Sequence, residues 1–410
     1  MKLEEICFIS SGGTPSRGKK EYYNGDIPWA KISDIENAKQ GIIDNTEEKI
    51  TVEGLKSIGN RVFPIGTLLF AMYGSIGKVA ISGVELSTNQ AILGIRPKTE
   101  KSINLQYLKI WFDANKQQMI NQGRGGTLKN LSATIIRNLD VPLPPLTDQI
   151  LIADILSQAE SLIAQRKQSM SLLDEFLKAT FLEMFGDPVR NKKGLSKVKL
   201  VDITTKITDG KHGDCNDEEN SGYYFLSAKD LVNGELKYNK VREITQADFI
   251  EVHKRKDLKL NDILLGNTGA SIGKIGIVKD EEKASKTVFQ KSISIISVKN
   301  EIILPQYLKA YLDYNRSIFN ATSTGSAMPN LLLSQIRAFE IIVPSLNLQN
   351  EYIRIVEKAE ALKSQYQQSL KELQNMYGVL SQKAFKGELS LAQPFSIAAE
   401  DAASYGNKKD

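Results

Sequence analysis

The strongest constraint on this chain is that it is written twice. "YLKIWFDANKQQMI" from Tyr107 returns as "YLKAYLDYNRSIFN" from Tyr307, and "IRNLDVPLPPLTDQ" from Ile136 returns as "IRAFEIIVPSLNLQ" from Ile336. Nearer each start, "WAKISDI" from Trp29 meets "FLSAKDL" from Phe225, which pairs Asp34 with Asp230. "NQAILGIRPK" from Asn89 faces "FQKSISIISVK" from Phe289, setting Gln90 opposite Gln290. A small glycine–lysine stretch, "GSIGKVAI" at 74–81, recurs as "ASIGKIGI" at 270–277. The repeat takes up about half the chain, far more than a solenoid repeat, so a whole domain pair is duplicated.

Each half has two parts. The first has short β-branched runs punctuated by glycine, "GTLLFAMYG", "GKVAISG" and "AILGIRP", echoed by "DILLGNTG", "GKIGIVK" and "SISIISV". An amphipathic helix is expected near Leu105 and Gln306, then a glycine/serine loop, "GRGGT" at 123–127 and "TSTGS" at 322–326. A strand ending in proline, "VPLPP" or "IIVPS", closes the unit, because proline stops what precedes it.

The second part is helix. From Thr147 to Phe185 there is neither proline nor glycine, and a 4-3 seam runs Ile152, Leu156, Ala159, Ile163, Arg166, Met170, Leu173, Leu177, Thr180, Met184. The later seam is Tyr352, Val356, Ala359, Lys363, Tyr366, Leu370, Leu373, Tyr377, Leu380, Ala384, less apolar but in register with the first. Spacing of 3.5 residues predicts a coiled coil. Thr147 is the expected N-cap and Gly186 the terminating residue. Neither helix can bury its stripe alone, and duplicated halves pair them antiparallel.

The expected fold class is therefore α+β: two mixed α/β domains separated by two long helices that pair as an antiparallel coiled coil, with an internal pseudo-two-fold repeat. The divisions fall at 1–145, 146–195, 196–345 and 346–390, with a polar tail over 391–410.

Chemistry is conspicuous by what fails to assemble. The glycine–lysine turns are not phosphate-binding loops of the NTPase kind, since Met72 and Thr268 stand where the first glycine belongs and Val79 and Ile275 follow the lysines. The only Pro-Pro, at 144–145, lacks the flanking residues of a methyltransferase tetrapeptide, and no Ser/His/acid arrangement is recognisable. "DNTEEK" at 44–49 has nuclease residue types at the wrong spacing and reads as a solvated turn. With His212, His253, Cys7 and Cys215 as the only soft ligands, no metal site and no catalytic residues are expected. Two cysteines exclude a disulfide framework and fit a reducing cytoplasm; the opening "MKLEEICFIS" lacks a signal-peptide pattern, and no apolar run is long enough to span a membrane. The net charge of +5 permits a nucleic-acid partner without demanding one.

As a set, the motifs resemble the specificity subunit of type I restriction–modification enzymes. "ISSGGTPSRGKKEYYNGDIPWAKISDI" (9–35) is similar to the opening of a target-recognition domain, with "GSIGKVAI", "STNQAI" and "LPPLTDQ" as later landmarks. "FLEMFGDP" (181–188) and "SQKAFKGEL" (381–389) resemble the ends of its central and distal helical regions, and "ITDGKHGD" (207–214) the start of a second recognition domain. The resemblance implies a cytoplasmic, non-catalytic subunit in which each domain reads one half of a bipartite double-stranded DNA target. The helices would set the spacer and dock two methyltransferase subunits, with restriction subunits in the full complex. The chain itself would hold no cofactor; S-adenosylmethionine, ATP and Mg would sit on the partner subunits. A helix of 39 residues (147 to 185) would be about 58 Å long, ample to hold two reading heads about one DNA turn, some 34 Å, apart. A free-standing two-headed DNA-binding regulator or inhibitor derived from such a subunit is the alternative.

Phosphate positioning calls for Lys, Arg and hydroxyls, and base reading for polar side chains that reach the groove. In the first domain the candidates are Thr14, Ser16, Arg17, Lys19, Lys20, Tyr22, Lys31, Tyr73, Ser75, Lys78, Arg124 and Lys129. In the second they are Lys211, His212, Lys229, Asn267, Thr268, Ser271, Lys274, Ser323 and Thr324. Trp29 and Trp111 are expected in the core, and Asp34 and Asp230 as turn caps. Gly74, Gly77, Gly269 and Gly273 are expected to turn the backbone through positive φ; whether Lys78 and Lys274 meet phosphates or only decorate that turn is left open.

Overall fold

The structure, a computed structural model, describes residues 1–39, 41–99, 103–122, 131–254, 257–323 and 329–389. The chain forms two compact units. One is Met1–Lys167 together with the chain from Gln368 onward; the other is Gln168–Gln367. Each long helix therefore gives one end to each unit.

In the first unit the strands are β1 (Cys7–Ser11), β2 (Tyr23–Ala30), β3 (Ile42–Ile43), β4 (Glu48–Ile50), β5 (Leu68–Ala71), β6 (Val79–Ser82), β7 (Ser87–Thr88) and β8 (Ile92–Pro97). They make a five-stranded sheet, β1-β8-β5-β6-β3, and a three-stranded sheet, β4-β2-β7. Both are mixed: β3 joins β6 and β7 joins β2 in parallel, while the other pairs are antiparallel. β5 is buried along its whole length, as a continuous apolar run in a sheet covered on both faces must be. The main core packs Phe70, Leu93, Tyr107, Phe112 and Ile136 against Ile152 and Leu156 of the first long helix and Ala384 of the second.

The second unit repeats this plan. Its strands are β9 (Lys197–Lys199), β10 (Thr204–Asp209), β11 (Tyr224–Leu226), β12 (Leu231–Val232), β13 (Glu235–Leu236), β14 (Arg242–Glu243), β15 (Ile263–Gly266), β16 (Ile275–Ile277), β17 (Thr287–Phe289), β18 (Ile293–Val298) and β19 (Glu340–Ile342). The sheets are β10-β18-β15-β16 and β14-β11-β17, with the pairs β12-β13 and β19-β9. Here the core centres on Phe181 and Phe185 of the first long helix, Tyr307, Tyr311 and Tyr352.

The long helices are Leu146–Phe185 and Leu346–Lys386. They end at Gly186 and Gly387, both left-handed (φ 77° and 72°), as a terminating glycine allows. Over 161–180 and 361–380 the same positions, offset by 200, are half-buried, and they are the predicted seam with Ser169 and Ser369 in addition. Within the second unit Asp174 meets Lys363 and Phe181 meets Tyr352, so advancing along one helix retreats along the other. Within the first, Glu160 accepts a hydrogen bond from the Tyr377 hydroxyl (2.7 Å), while Ile152 packs in one cluster with Ala384. The segments are antiparallel in both.

Local expectations need correction at three places. The first long helix starts at Leu146, and the Pro145 carbonyl takes the N–H groups of Asp148 and Gln149 (2.9 and 3.0 Å). Thr147 is thus inside the first turn and caps nothing. The expected strand at "VPLPP" is no strand: Pro142, Pro144 and Pro145 have no N–H to give, and only a bridge of Lys2 to Asp140 forms. Its counterpart, with one proline, is β19. Third, Gln290 is matched by Asn89, not Gln90: Asn89 N–H donates to the Ala30 carbonyl as Gln290 N–H does to that of Leu226. The expected loops at 123–127 and 322–326 lie largely outside the described residues.

Candidate nucleic-acid interface

The glycine–lysine stretch is a turn between antiparallel neighbours, β5 to β6 and β15 to β16. Gly74, Gly77, Gly269 and Gly273 all have positive φ (64°, 76°, 53° and 77°), a conformation that penalises any side chain with a Cβ. In both turns the lysine N–H donates to a serine carbonyl: Lys78 to Ser75 and Lys274 to Ser271, each 3.0 Å. The side chains then diverge. The Lys274 ammonium donates to the Ala228 carbonyl (3.2 Å), tying the turn to the segment after β11. Lys78 is half-buried, and among the described residues no carboxylate lies within ion-pair reach of it. The Ser75 hydroxyl donates to Glu36, and Tyr73 is exposed.

A loop follows Gly12 in the first unit and Gly210 in the second. A Cβ on either glycine would run into strand carbonyls, of Thr88 and Asn89 or of Phe289 and Gln290, so the close approach requires glycine. From the first loop, Arg17 gives two hydrogen bonds to the Glu48 carboxylate (2.7 and 3.4 Å), and its guanidinium lies over Tyr23 (4.6 Å) and Trp29 (5.2 Å). Lys31 reaches both Glu48 (2.8 Å) and Glu47 (2.9 Å). The Arg17 guanidinium, helped by Lys31, holds the Glu48 carboxyl below its ordinary range. The stretch "DNTEEK" is exposed at Asp44, Asn45, Glu47 and Lys49, as a solvated turn is, and its two glutamates in addition grip Arg17 of the loop and Lys31, which follows β2.

Lys19 donates to the Tyr22 hydroxyl (3.1 Å) and, like Ser16 and Lys20, is exposed; Thr14 is exposed and bonded to Gln90. Asp34 accepts from the Lys31 and Glu47 N–H groups, and Asp230 from Ser227, as turn caps do. Trp29 and Trp111 are buried.

In the second unit Lys211 pairs with Asp248 (3.3 Å) and Glu251 (3.6 Å), and the exposed His212 ring contacts Asp209 (2.6 Å). Backbone N–H of Asn216, with Lys211 beyond it, keeps the Asp248 carboxyl low. Asn267 is buried and donates to the Ser294 hydroxyl (2.9 Å), while its Oδ1 has no hydrogen-bond partner among the described residues. Thr268, Ser271 and Ser323 are half-buried, and Lys229 is exposed. Arg124, Lys129 and Thr324 lie outside the described residues.

Sequence reading missed the anions that organise these cations: Glu47, Glu48, Asp214, Asp217 and Asp248. It also missed Arg242, which is bonded to Asp214, Asp217 and the Cys215 carbonyl (2.6 Å). Two adjacent acids at the start of a short strand were the available signal at Glu47–Glu48. The others are brought together only by folding. Among the described residues no cluster of His, Cys, Asp and Glu could hold a metal ion, and no helix is long and apolar enough to cross a membrane.

Comparison with known proteins agrees with this duplicated architecture. The family described as "Type I restriction modification DNA specificity domain" matches residues 1–171 and again 192–374. The type I restriction enzyme MjaIX specificity subunit of Methanocaldococcus jannaschii is 26% identical, over 96% of this chain and 93% of its own length. The EcoKI specificity subunit of Escherichia coli K12 is 22% identical, over 97% and 92%. Among solved structures, the type I restriction–modification S subunit from M. genitalium has a TM-score of 0.58 at 14% identity, covering 94% of this chain and 95% of that one. A chain from a study of complex assembly and conformational transition in the type I system gives 0.60 at 15%, covering 95% and 97%. A duplicated recognition domain with paired helix segments, matched twice by one family along the same stretch, leads to one conclusion: the chain belongs to the type I restriction–modification DNA specificity family, the DNA-recognition subunits of those enzymes and not the ones that carry out their chemistry.

Proposed function

We propose that each unit reads one half of a bipartite duplex DNA target, and that the two long helices set the spacer and dock two methyltransferase subunits. The observation that carries this reading is the duplication itself: the same turn, the same glycine-anchored loop and the same three-stranded sheet occur once in each unit, and each unit includes one end of both helices. A reader built so meets two sites, not one long site.

Exposed Lys19, Lys20 and Lys229, with Lys78, which has no ion-pair partner among the described residues, are the proposed phosphate contacts; Ser16, Tyr73 and His212 are the proposed groove-facing polar groups. The long helices keep Leu162, Leu172 and Phe176, and Leu362, Met376 and Val379, exposed, with Leu162/Leu362 and Phe176/Met376 repeating at the 200-residue offset. Large apolar groups on a solvent-facing helix suit a protein partner, and their repetition suits two copies of it. S-adenosylmethionine belongs on those partners, and ATP and Mg on restriction subunits. A cytoplasmic location accords with two buried, unpaired cysteines and with DNA as partner.

The test is to co-purify the chain with its methyltransferase subunits and map methylated adenines by sequencing. Two short specified blocks separated by unspecified bases are expected. A continuous motif, or methyl transfer by this chain alone, would overturn the assignment.

A further inference from the structure

The loop clamps of the two units are built from the same parts with the charges exchanged. Equivalence is fixed by backbone contacts. Gly13 N–H donates to Thr88 as Lys211 N–H does to Phe289 (2.8 and 2.7 Å), and Thr51 and Thr245 cap the helix that follows β4 and β14. On this frame Trp29 matches Phe225. Each sits directly opposite one residue of the neighbouring antiparallel strand: Glu48 in the first unit and Arg242 in the second.

In the first unit the loop supplies the cation and the strand the anion. Arg17 crosses from the loop, lies 5.2 Å from the Trp29 ring and binds Glu48 through both nitrogens of its fork. In the second unit the strand supplies the cation and the loop the anions. Arg242 lies 5.3 Å from the Phe225 ring and binds Asp214 and Asp217 of the loop. The carriers have changed, yet a guanidinium remains over the same aromatic position, at the same distance, bonded to carboxylate.

A cation kept for DNA would have to stay where the DNA lies, on the loop in both units. What is common instead is the join between loop and strand. A planar guanidinium can satisfy a carboxylate and an aromatic face together, which a lysine cannot do as well. Such a bond acts by removing freedom from the loop, and it works with either end positive.

We infer that the Arg17–Glu48 and Arg242–Asp214/Asp217 clamps are positioning devices that hold the recognition loops, and that their charges are interchangeable. Arg17 and Arg242 then set how strictly a half-site is read by fixing neighbouring residues of their loops, without touching DNA. This rests on the reading of the loops as DNA-facing.

The test takes the complex with its methyltransferase subunits and a duplex library randomised at both half-sites. Lys31 also binds Glu48 and is matched by Ser227 in the second unit, so all variants carry Lys31→Ser to remove a like charge. In that background Arg17→Asp alone and Glu48→Arg alone should each relax discrimination at the first half-site by about tenfold, leaving the second unchanged. Together they install the second unit's arrangement and should recover discrimination to within about threefold, the signature of a direct coupling. Single changes that leave discrimination intact would overturn the inference, as would a folded double variant, with unchanged melting temperature, that stays as relaxed as the singles. Asp214→Asn with Asp217→Asn is the independent arm: it should relax only the second half-site, and no change there would equally overturn it. A parent complex that reads no bipartite target at all would instead sink the proposed function.

Discussion

Gln149 and Gln349 occupy the joints between domains and helices, and neither looks remarkable as a letter in "LPPLTDQ" or "PSLNLQ". Both are fully buried. Gln149 accepts from Asn104 N–H (2.8 Å) and donates to Pro144; Gln349 accepts from Leu304 N–H (2.8 Å) and donates to Pro344 and Ile302. One amide thus ties the start of a long helix to the start of the domain's amphipathic helix. Further along the amphipathic helix Leu105–Gln122, the Asp113 carboxyl is pushed up from 3.8 to about 6, first by burial, with Lys109 opposing the rise and Glu160 adding to it. A carboxyl that binds its proton more tightly when folded stabilises the fold below its unfolded pKa and loses that contribution as pH rises through the folded one. Stability should therefore fall between about pH 4 and pH 6 and stay lower above. Melting temperatures of Asp113→Asn should exceed wild type at pH 7.5 and converge with it near pH 4; a constant gap would show that burial of the charge is not the cause.

At the scale of elements, the long helices draw stability from their ends more than from their middles. Positions 163–180 and 363–380 of the seam are only half-buried, whereas Leu156, Phe181 and Phe185 sit in the domain cores. Phe181→Ala should cost about 3–5 kcal/mol in denaturant unfolding, since it empties a site lined by Tyr307, Tyr311, Tyr314 and Tyr352. Lys363→Met, which removes an ion pair to the 60%-exposed Asp174 carboxylate, should cost less than about 1 kcal/mol. A reversed order would mean that the helices are held by their polar seam. The seam was legible in the sequence because a period of 3.5 is a local property of the chain. The start at Leu146 was not, because a proline carbonyl took the role assigned to the Thr147 side chain.

For the whole molecule, the proposed spacer role makes helix length a functional quantity. Seven residues inserted after Gln165 need seven more after Glu372, which the Glu160–Tyr377 register sets opposite, so that the seam stays aligned. At about 1.5 Å per residue this adds about 10 Å, or roughly three base pairs at about 3.4 Å each. Methylation mapping should then show a longer spacer with both half-sites unchanged. An unaltered spacer would remove the helices from that role.

By itself the sequence determined the architecture: the repeat gave the count of domains, the heptads gave the helix pair, and the glycines gave turns whose φ values the structure bears out. These are properties of spacing and of single residues, which survive without knowing what lies across the fold. Tertiary structure alone decided which cations are held. Arg17, Lys31, Lys211 and Lys274 look as available as Lys78 in the sequence, yet each is held by a carboxylate or carbonyl, the first by a glutamate 31 residues away and Lys274 by a carbonyl 46 away. An ion pair needs its partners within 4 Å in space at any separation along the chain, and only the folded sheets and loops bring them there.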